Sequence, residues 1–247
     1  MVHSAPPGPG NGHSSALADV HAQAGGAAAA RTATLSKFGF AVPSHDAIAA
    51  IHRHARHGVV EVGAGVAYWA MLLSRMGVDV VAYDLHPPPS ATNQWFADTM
   101  PWHPVECRDI DVVAQHPDRT LLMIWPTKNE DWPGDALLAF LEAGGEWLVY
   151  VGEGPGGRSG DDRFHSLLGS IDRCYPCDYG IDAQCVCDVS RNWRRHLTVE
   201  IPTWDGCDDR LELYQALGSA ARAGPANPIP SVRRRALEAL LRRPRRR

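Results

Sequence analysis

Apolar residues in this chain fall into short blocks of two alternating kinds. Val59–Val62, Val78–Tyr83, Val105–Cys107, Thr120–Trp125 and Trp147–Val151 are runs rich in β-branched and aliphatic residues, too short for helices. Between them, apolar residues recur three and four apart: Trp69, Leu72, Leu73 and Met76; Leu137, Leu138 and Leu141; Phe164, Leu167, Leu168 and Ile171. Start and stop signals frame these stripes. Ser44 is an N-cap for a helix from His45 to about Arg56, Gly77 ends the helix through Met76, and Asp131 with Pro133 opens the next one. Thr120–Trp125 is apolar throughout after its first residue, as a strand covered on both faces should be. Leu197–Ile201 and Leu211–Tyr214 complete the series as a strand pair. This order predicts an α/β fold, a Rossmann-like doubly wound sheet of about seven strands with a closing antiparallel hairpin.

Composition sets the margins of that domain. Residues 1–34 are rich in Ala, Gly, Pro, Ser and His, offer no apolar face to bury, and are expected to be a disordered tail. The packed domain is expected over 35–217. Residues 218–247 read as a linker and then an amphipathic helix, Ser231 to about Arg243, with Val232, Ala236, Leu237, Leu240 and Leu241 on one side. Eight arginines lie in that helix or just beyond it. It suits docking on its own domain with the arginines in water, or contact with RNA, anionic lipid or an acidic partner.

No apolar run approaches the roughly 20 residues that a transmembrane segment needs, and the N-terminus lacks the basic-then-apolar order of a signal peptide. Six cysteines in 247 residues are too few for a disulfide scaffold, which points to a reduced, cytoplasmic setting. A net charge of −4 argues against general nucleic-acid binding.

The candidate chemistry concentrates between Gly58 and Pro87, a strand, glycine turn, helix and second strand. Gly63 and Gly65 let the backbone turn tightly and let a ligand approach where a Cβ would collide. Asp84, nineteen residues after Gly65 at the tip of the next strand, is placed to accept hydrogen bonds from both hydroxyls of a ribose. Glu61 puts a second carboxylate at the end of the first strand, where it can face an ammonium group or order water. The nicotinamide fingerprint G-x-G-x-x-G/A fails at its sixth position, Tyr68, and has no use for Glu61.

Glu61, Gly63, Gly65 and Ala67 instead resemble the E-x-G-x-G-x-G of class I S-adenosylmethionine (SAM)-dependent methyltransferases, with Ala67 replacing the third glycine and expected only to tighten the turn. The resemblance spans roughly Phe38 to Leu217. It implies SAM as cofactor, held by Glu61, Gly63, Ala64, Gly65, Tyr68, Asp84 and Leu85. Asp109 would lie near the adenine amine and Trp125 would wall the methyl-transfer chamber. Trp125-Pro126-Thr127 stands where relatives acting on planar amines carry (D/N)PP(Y/F), a partial match that does not support a planar amine. The acceptor implied is a small molecule or peptide. Glu153, in the loop Gly152–Gly157, and His103, before the third strand, are the candidate proton acceptors, and a carboxylate acceptor would need neither. Gly152–Gly157 reads as a substrate-side lid or as a plain connection. A non-catalytic SAM-binding or scaffold protein stays open beside this reading, as does, with less support, an NAD(P)-dependent oxidoreductase.

Cys174-x-x-Cys177 and Cys185-x-Cys187 suit either a structural zinc held by four thiolates or free thiols in a small insertion. His52, His54 and His57 read as a solvated helix surface, since only His54 and His57 share a face.

Overall fold

The computed structural model describes residues 28–169 and 193–217. In chain order these form α1 (Ala28–Phe38), α2 (His45–His54), β1 (Val59–Val62), α3 (Tyr68–Arg75), β2 (Val80–Asp84) and β3 (Glu106–Cys107). A 3₁₀ helix (Ile110–Gln115) follows, then β4 (Thr120–Ile124), α4 (Trp132–Glu142), β5 (Trp147–Gly152), α5 (Asp162–Leu167), β6 (Trp193–Glu200) and β7 (Arg210–Ala216). The strands make one sheet in the order β3-β2-β1-β4-β5-β7-β6. All neighbours are parallel except β7, which runs antiparallel to both β5 and β6.

Because side chains alternate across a strand, the sheet buries two separate cores. Val60, Val62, Leu121, Met123, Leu148 and Tyr150 face α4 and Phe164. Val59, Leu122, Val149 and Val151 face Ile48 and Ile51 of α2 and Trp69 and Leu73 of α3. The central strands are buried on both sides, as their near-continuous apolar runs require. No helix among the described residues is long and apolar enough to cross a membrane.

Several local expectations are corrected. The boundary at Thr34 falls inside α1: three consecutive alanines open a good helix, and Leu35 and Phe38 pack against Val42 and Trp204. The stripe on α3 is broader than Trp69, Leu72, Leu73 and Met76. Tyr68 and Met71 are also buried, while Met76 is exposed, because a second layer covers the side of the helix away from the sheet.

That layer is the stretch 85–105, which holds neither helix nor strand. Asn93 organises it, donating from its amide to the His86 carbonyl (2.7 Å) and accepting from the N–H groups of Trp95 (3.0 Å) and Phe96 (2.8 Å). The far end is clasped to the helices: the Trp102 N–H donates to the Val66 carbonyl and its indole N–H to the Lys37 carbonyl (2.7 Å). Ile171, Cys174, Cys177, Cys185, Cys187 and the segment 231–243, expected to be a helix, lie outside the described residues.

Candidate functional site

The sheet reverses direction of build between β1 and β4: β2 and β3 lie to one side, β5, β7 and β6 to the other. In open α/β sheets the crevice beyond the carboxyl ends of strands at such a point is where ligands bind. Glu61, Gly63, Gly65, Asp84 and Trp125 lie at or just past the carboxyl ends of β1, β2 and β4.

Glu61, two residues before the turn, is almost wholly buried, and among the described residues its Oε2 has no hydrogen-bond partner. Burial, with the nearby Asp84 charge adding to it, pushes its carboxyl up to about 8. Gly63 and Gly65 both take left-handed backbone, φ 64° and 50°. The Gly65 N–H donates to Asp84 Oδ2 (2.9 Å) and the His86 N–H to Asp84 Oδ1 (2.8 Å), so turn and acid are fixed to one another. Each carboxylate oxygen keeps a further lone pair for a ligand hydroxyl. Asp109 lies just past β3 and caps the 3₁₀ helix, its Oδ1 accepting from the Ile110 N–H (2.8 Å). Leu85, after Asp84, is exposed at the rim.

The strand order β3-β2-β1-β4-β5-β7-β6, with β7 antiparallel to both its neighbours, settles the fold. The chain has the class I SAM-dependent methyltransferase fold.

No family model matches the chain. No curated protein matches it either. Among solved structures it is similar to magnesium protoporphyrin IX methyltransferase from Synechocystis PCC 6803 with bound SAH, at 11% identity over 85% of this chain and 90% of that one, TM-score 0.43. It is also similar to a SAM-dependent methyltransferase from Anabaena variabilis ATCC 29413 (13%, 64% and 76%, TM-score 0.35). A third is a putative tRNA (m1A22) methyltransferase from Streptococcus pneumoniae (13%, 83% and 90%, TM-score 0.38). The substrates in those names belong to those proteins.

The crevice edge has features that the motif did not show. Ala67, at the third-glycine position, takes φ 52° and ψ 39°, a left-handed conformation that costs a residue with a Cβ about 1–2 kcal/mol. The change is therefore a source of strain rather than a mild tightening. Aromatic rings lie directly on the turn: a Cβ at Gly63 would come within 2.7 Å of the Trp132 ring, and one at Gly65 within 2.8 Å of Phe96. The glycines thus serve the protein's own packing as well as any ligand. Tyr68 is buried against Phe38 and Trp102, with its hydroxyl unpartnered among the described residues.

On the acceptor side, β4 ends one residue before Trp125, whose backbone turns to φ 48° while its N–H donates to the Val151 carbonyl (2.7 Å). The indole stacks on Phe40 (5.0 Å between ring centres) and donates from Nε1 to Asp209 Oδ1 (2.6 Å). Trp125 and Phe40 thus form a stacked aromatic pair just past the carboxyl end of β4.

The two proton-acceptor candidates fare differently from expectation. Glu153 is buried in an ion pair: Arg158 donates from Nη2 to Oε1 (2.8 Å) and from its backbone N–H to Oε2 (2.5 Å), and the Asp208 N–H reaches Oε1 (3.2 Å). Burial raises its carboxyl, but these hydrogen bonds outweigh that and hold it below the usual carboxylate range. It joins the glycine-rich loop to the β6–β7 connection. His103 reaches the Val80 carbonyl (3.1 Å) at the amino end of β2, on the opposite edge of the sheet from Asp84. The structure does not bring it to the crevice, because β3 pairs Glu106 with Tyr83 and so sets His103 back along β2.

The loop after β5 is held at several points. Tyr150 donates its hydroxyl to the Glu153 carbonyl (2.6 Å), Ser159 Oγ accepts from the Glu153 N–H (2.8 Å), and the Gly160 N–H donates to the Pro126 carbonyl (2.8 Å). A freely swinging lid is not what these contacts describe. Sequence reasoning passed over Asp209, which the antiparallel pairing of β5 with β7 carries to this same edge.

Proposed function

We infer that this protein binds SAM at the Glu61–Gly65 turn and transfers its methyl group to a small-molecule or peptide acceptor. The observation that carries this reading is the turn locked onto Asp84 beside a buried, unpartnered Glu61 at the switch point of the sheet. The residues fit the cofactor. Asp84 would accept from the ribose hydroxyls, Glu61 Oε2 would take an ammonium proton donor, Gly63 and Ala64 would admit the methionine portion, and Leu85 with Asp109 would border the adenine. When bound, SAM supplies an electrophilic methyl on a sulfonium. The chain's part is then to position the acceptor in line and exclude water, with Trp125, Phe40 and Tyr68 as apolar walls.

A non-catalytic SAM-binding protein is the second reading, favoured by the ion-paired Glu153 and by His103 on the far edge. Calorimetric titration with SAM tests the first step of both. Asp84→Ala should weaken SAM binding by about 1.5–3 kcal/mol, the scale of hydrogen bonds to a charged group. Unchanged affinity in that variant would remove the ribose contact from the account.

A further inference from the structure

We propose that Asp209, oriented by Trp125, is the acceptor-side carboxylate of the site, and that the acceptor it receives is an aliphatic amine arriving as an ammonium ion. This rests on the SAM reading above and deepens it.

Four observations meet at Asp209. The residue is almost entirely buried, 2% exposed. Oδ1 is fixed by the Trp125 indole at 2.6 Å, while Oδ2 is buried with no partner among the described residues. A buried carboxylate oxygen without a donor is costly, and a ligand that brings N–H groups removes that cost. Asp209 directly precedes β7, whose first residue pairs with the last of β5, so it stands at the carboxyl edge beside the exit of β4. Next to it, Phe40 stacks on Trp125 and meets Trp95 edge-on at 5.4 Å, and aromatic faces attract a cation. Glu153, the neighbouring acid on the β5 side, is already paired with Arg158 and leaves the role to Asp209.

The charged groups around Asp209 are Glu153 and Arg158 from the loop after β5 and Arg31 from α1; the Cys207 thiol, bonded to Arg31 Nη2 (3.6 Å), lies two residues before it. Burial first, with Glu153 adding to it, pushes the Asp209 carboxyl up to about 6 against the Trp125 hydrogen bond. It is thus mostly ionised near neutrality yet ready to take a proton. The ammonium passes one N–H proton to Oδ2, which becomes a carboxylic acid. The freed nitrogen lone pair bonds to the methyl carbon, the sulfur–carbon bond breaks with its electron pair left on sulfur, and the product leaves as an N-methylammonium. Asp209 then returns its proton to water.

The test uses the full chain and two probes of similar shape and opposite charge, phenethylammonium and phenylacetate, titrated calorimetrically with and without S-adenosylhomocysteine. Wild type should bind phenethylammonium at least about tenfold more tightly than phenylacetate, and Asp209→Asn should lose that preference. Asp208→Asn, whose side chain is 91% exposed, should keep it. Affinity for S-adenosylhomocysteine should change by less than about twofold in Asp209→Asn, which separates failure here from failure of the SAM reading. Should Asp209→Asn not fold, wild type alone decides: phenethylammonium binding should weaken about tenfold as the pH falls from 7 to 5, through the Asp209 transition, while the amine stays charged. Equal affinity for the two probes, a preference that survives Asp209→Asn, or pH-independent binding overturns the proposal.

Discussion

Glu61→Gln is the perturbation whose outcome follows most directly from the structure. Glu61 has its carboxyl raised from 4.5 to about 8, by burial first and by the Asp84 charge second. A carboxyl whose folded-state value lies above its unfolded one binds its proton more tightly in the native protein. Its stabilising contribution is therefore complete below about pH 4.5 and is lost as the pH rises through about 8. Between those limits the loss is up to about 1.4 kcal/mol per pH unit, or roughly 3 kcal/mol from pH 5 to pH 7. Glutamine keeps the shape and cannot ionise. The two proteins should be near equal in stability at pH 5, with Glu61→Gln pulling ahead by about 2–4 kcal/mol near pH 8. Urea unfolding across that range, read as the difference between the two proteins, isolates this position, with its coupling to Asp84, from the other titrating groups. A difference that does not change with pH would refute the burial argument for Glu61. The same variant should bind SAM more weakly, since an ammonium facing Glu61 needs the carboxylate: the group that destabilises the ligand-free fold is the one the ligand uses.

Other substitutions probe neighbouring parts of the account. Ala67→Gly, which relieves left-handed backbone at a buried position, should leave stability unchanged or raise it by about 1 kcal/mol, against the usual sign for deleting a buried methyl. Gly65→Ala should destabilise by about 2–4 kcal/mol, because a Cβ there meets Phe96 at 2.8 Å on backbone that disfavours it; thermal unfolding checks both. Glu153→Gln should cost about 1–2 kcal/mol at pH 7. Its carboxyl is held below the usual range, so the difference should shrink as the pH falls below about 4.5, and persistence at low pH would show that the ion pair with Arg158 is not its source.

The parts of this molecule legible in its sequence are those written in local period and spacing. The β1 run, the glycine turn, Gly77 as a helix stop and Asp84 nineteen residues past Gly65 all follow from backbone geometry that a few adjacent residues determine. The closing hairpin was visible for the same reason, although β6 extends further toward the N-terminus than its apolar residues suggested. What was not legible depends on register and on contacts between distant segments. His103 sits before a strand only two residues long, and nothing local fixes which residue of β2 that strand will meet. Glu153 looked free because its partners, Arg158 and the Asp208 N–H, converge only when the β5 loop meets the β6–β7 connection. Asp209 lies in an irregular connection without period. Its one clue, two adjacent acids just before a strand that must start at the carboxyl edge, needed the antiparallel topology to be read. The strain at Ala67 and Trp125 is likewise a backbone fact, and both are residue types for which sequence gives no warning of positive φ.

The central claim is that the Glu61–Gly65 turn with Asp84 is a SAM site. Native mass spectrometry of the full chain in an equimolar mixture of SAM, S-adenosylhomocysteine and NAD puts it to the most direct test. The account predicts one equivalent of SAM or S-adenosylhomocysteine per chain, sharply reduced in Asp84→Ala, and no NAD adduct. A chain that retains NAD, or none of the three, would contradict it.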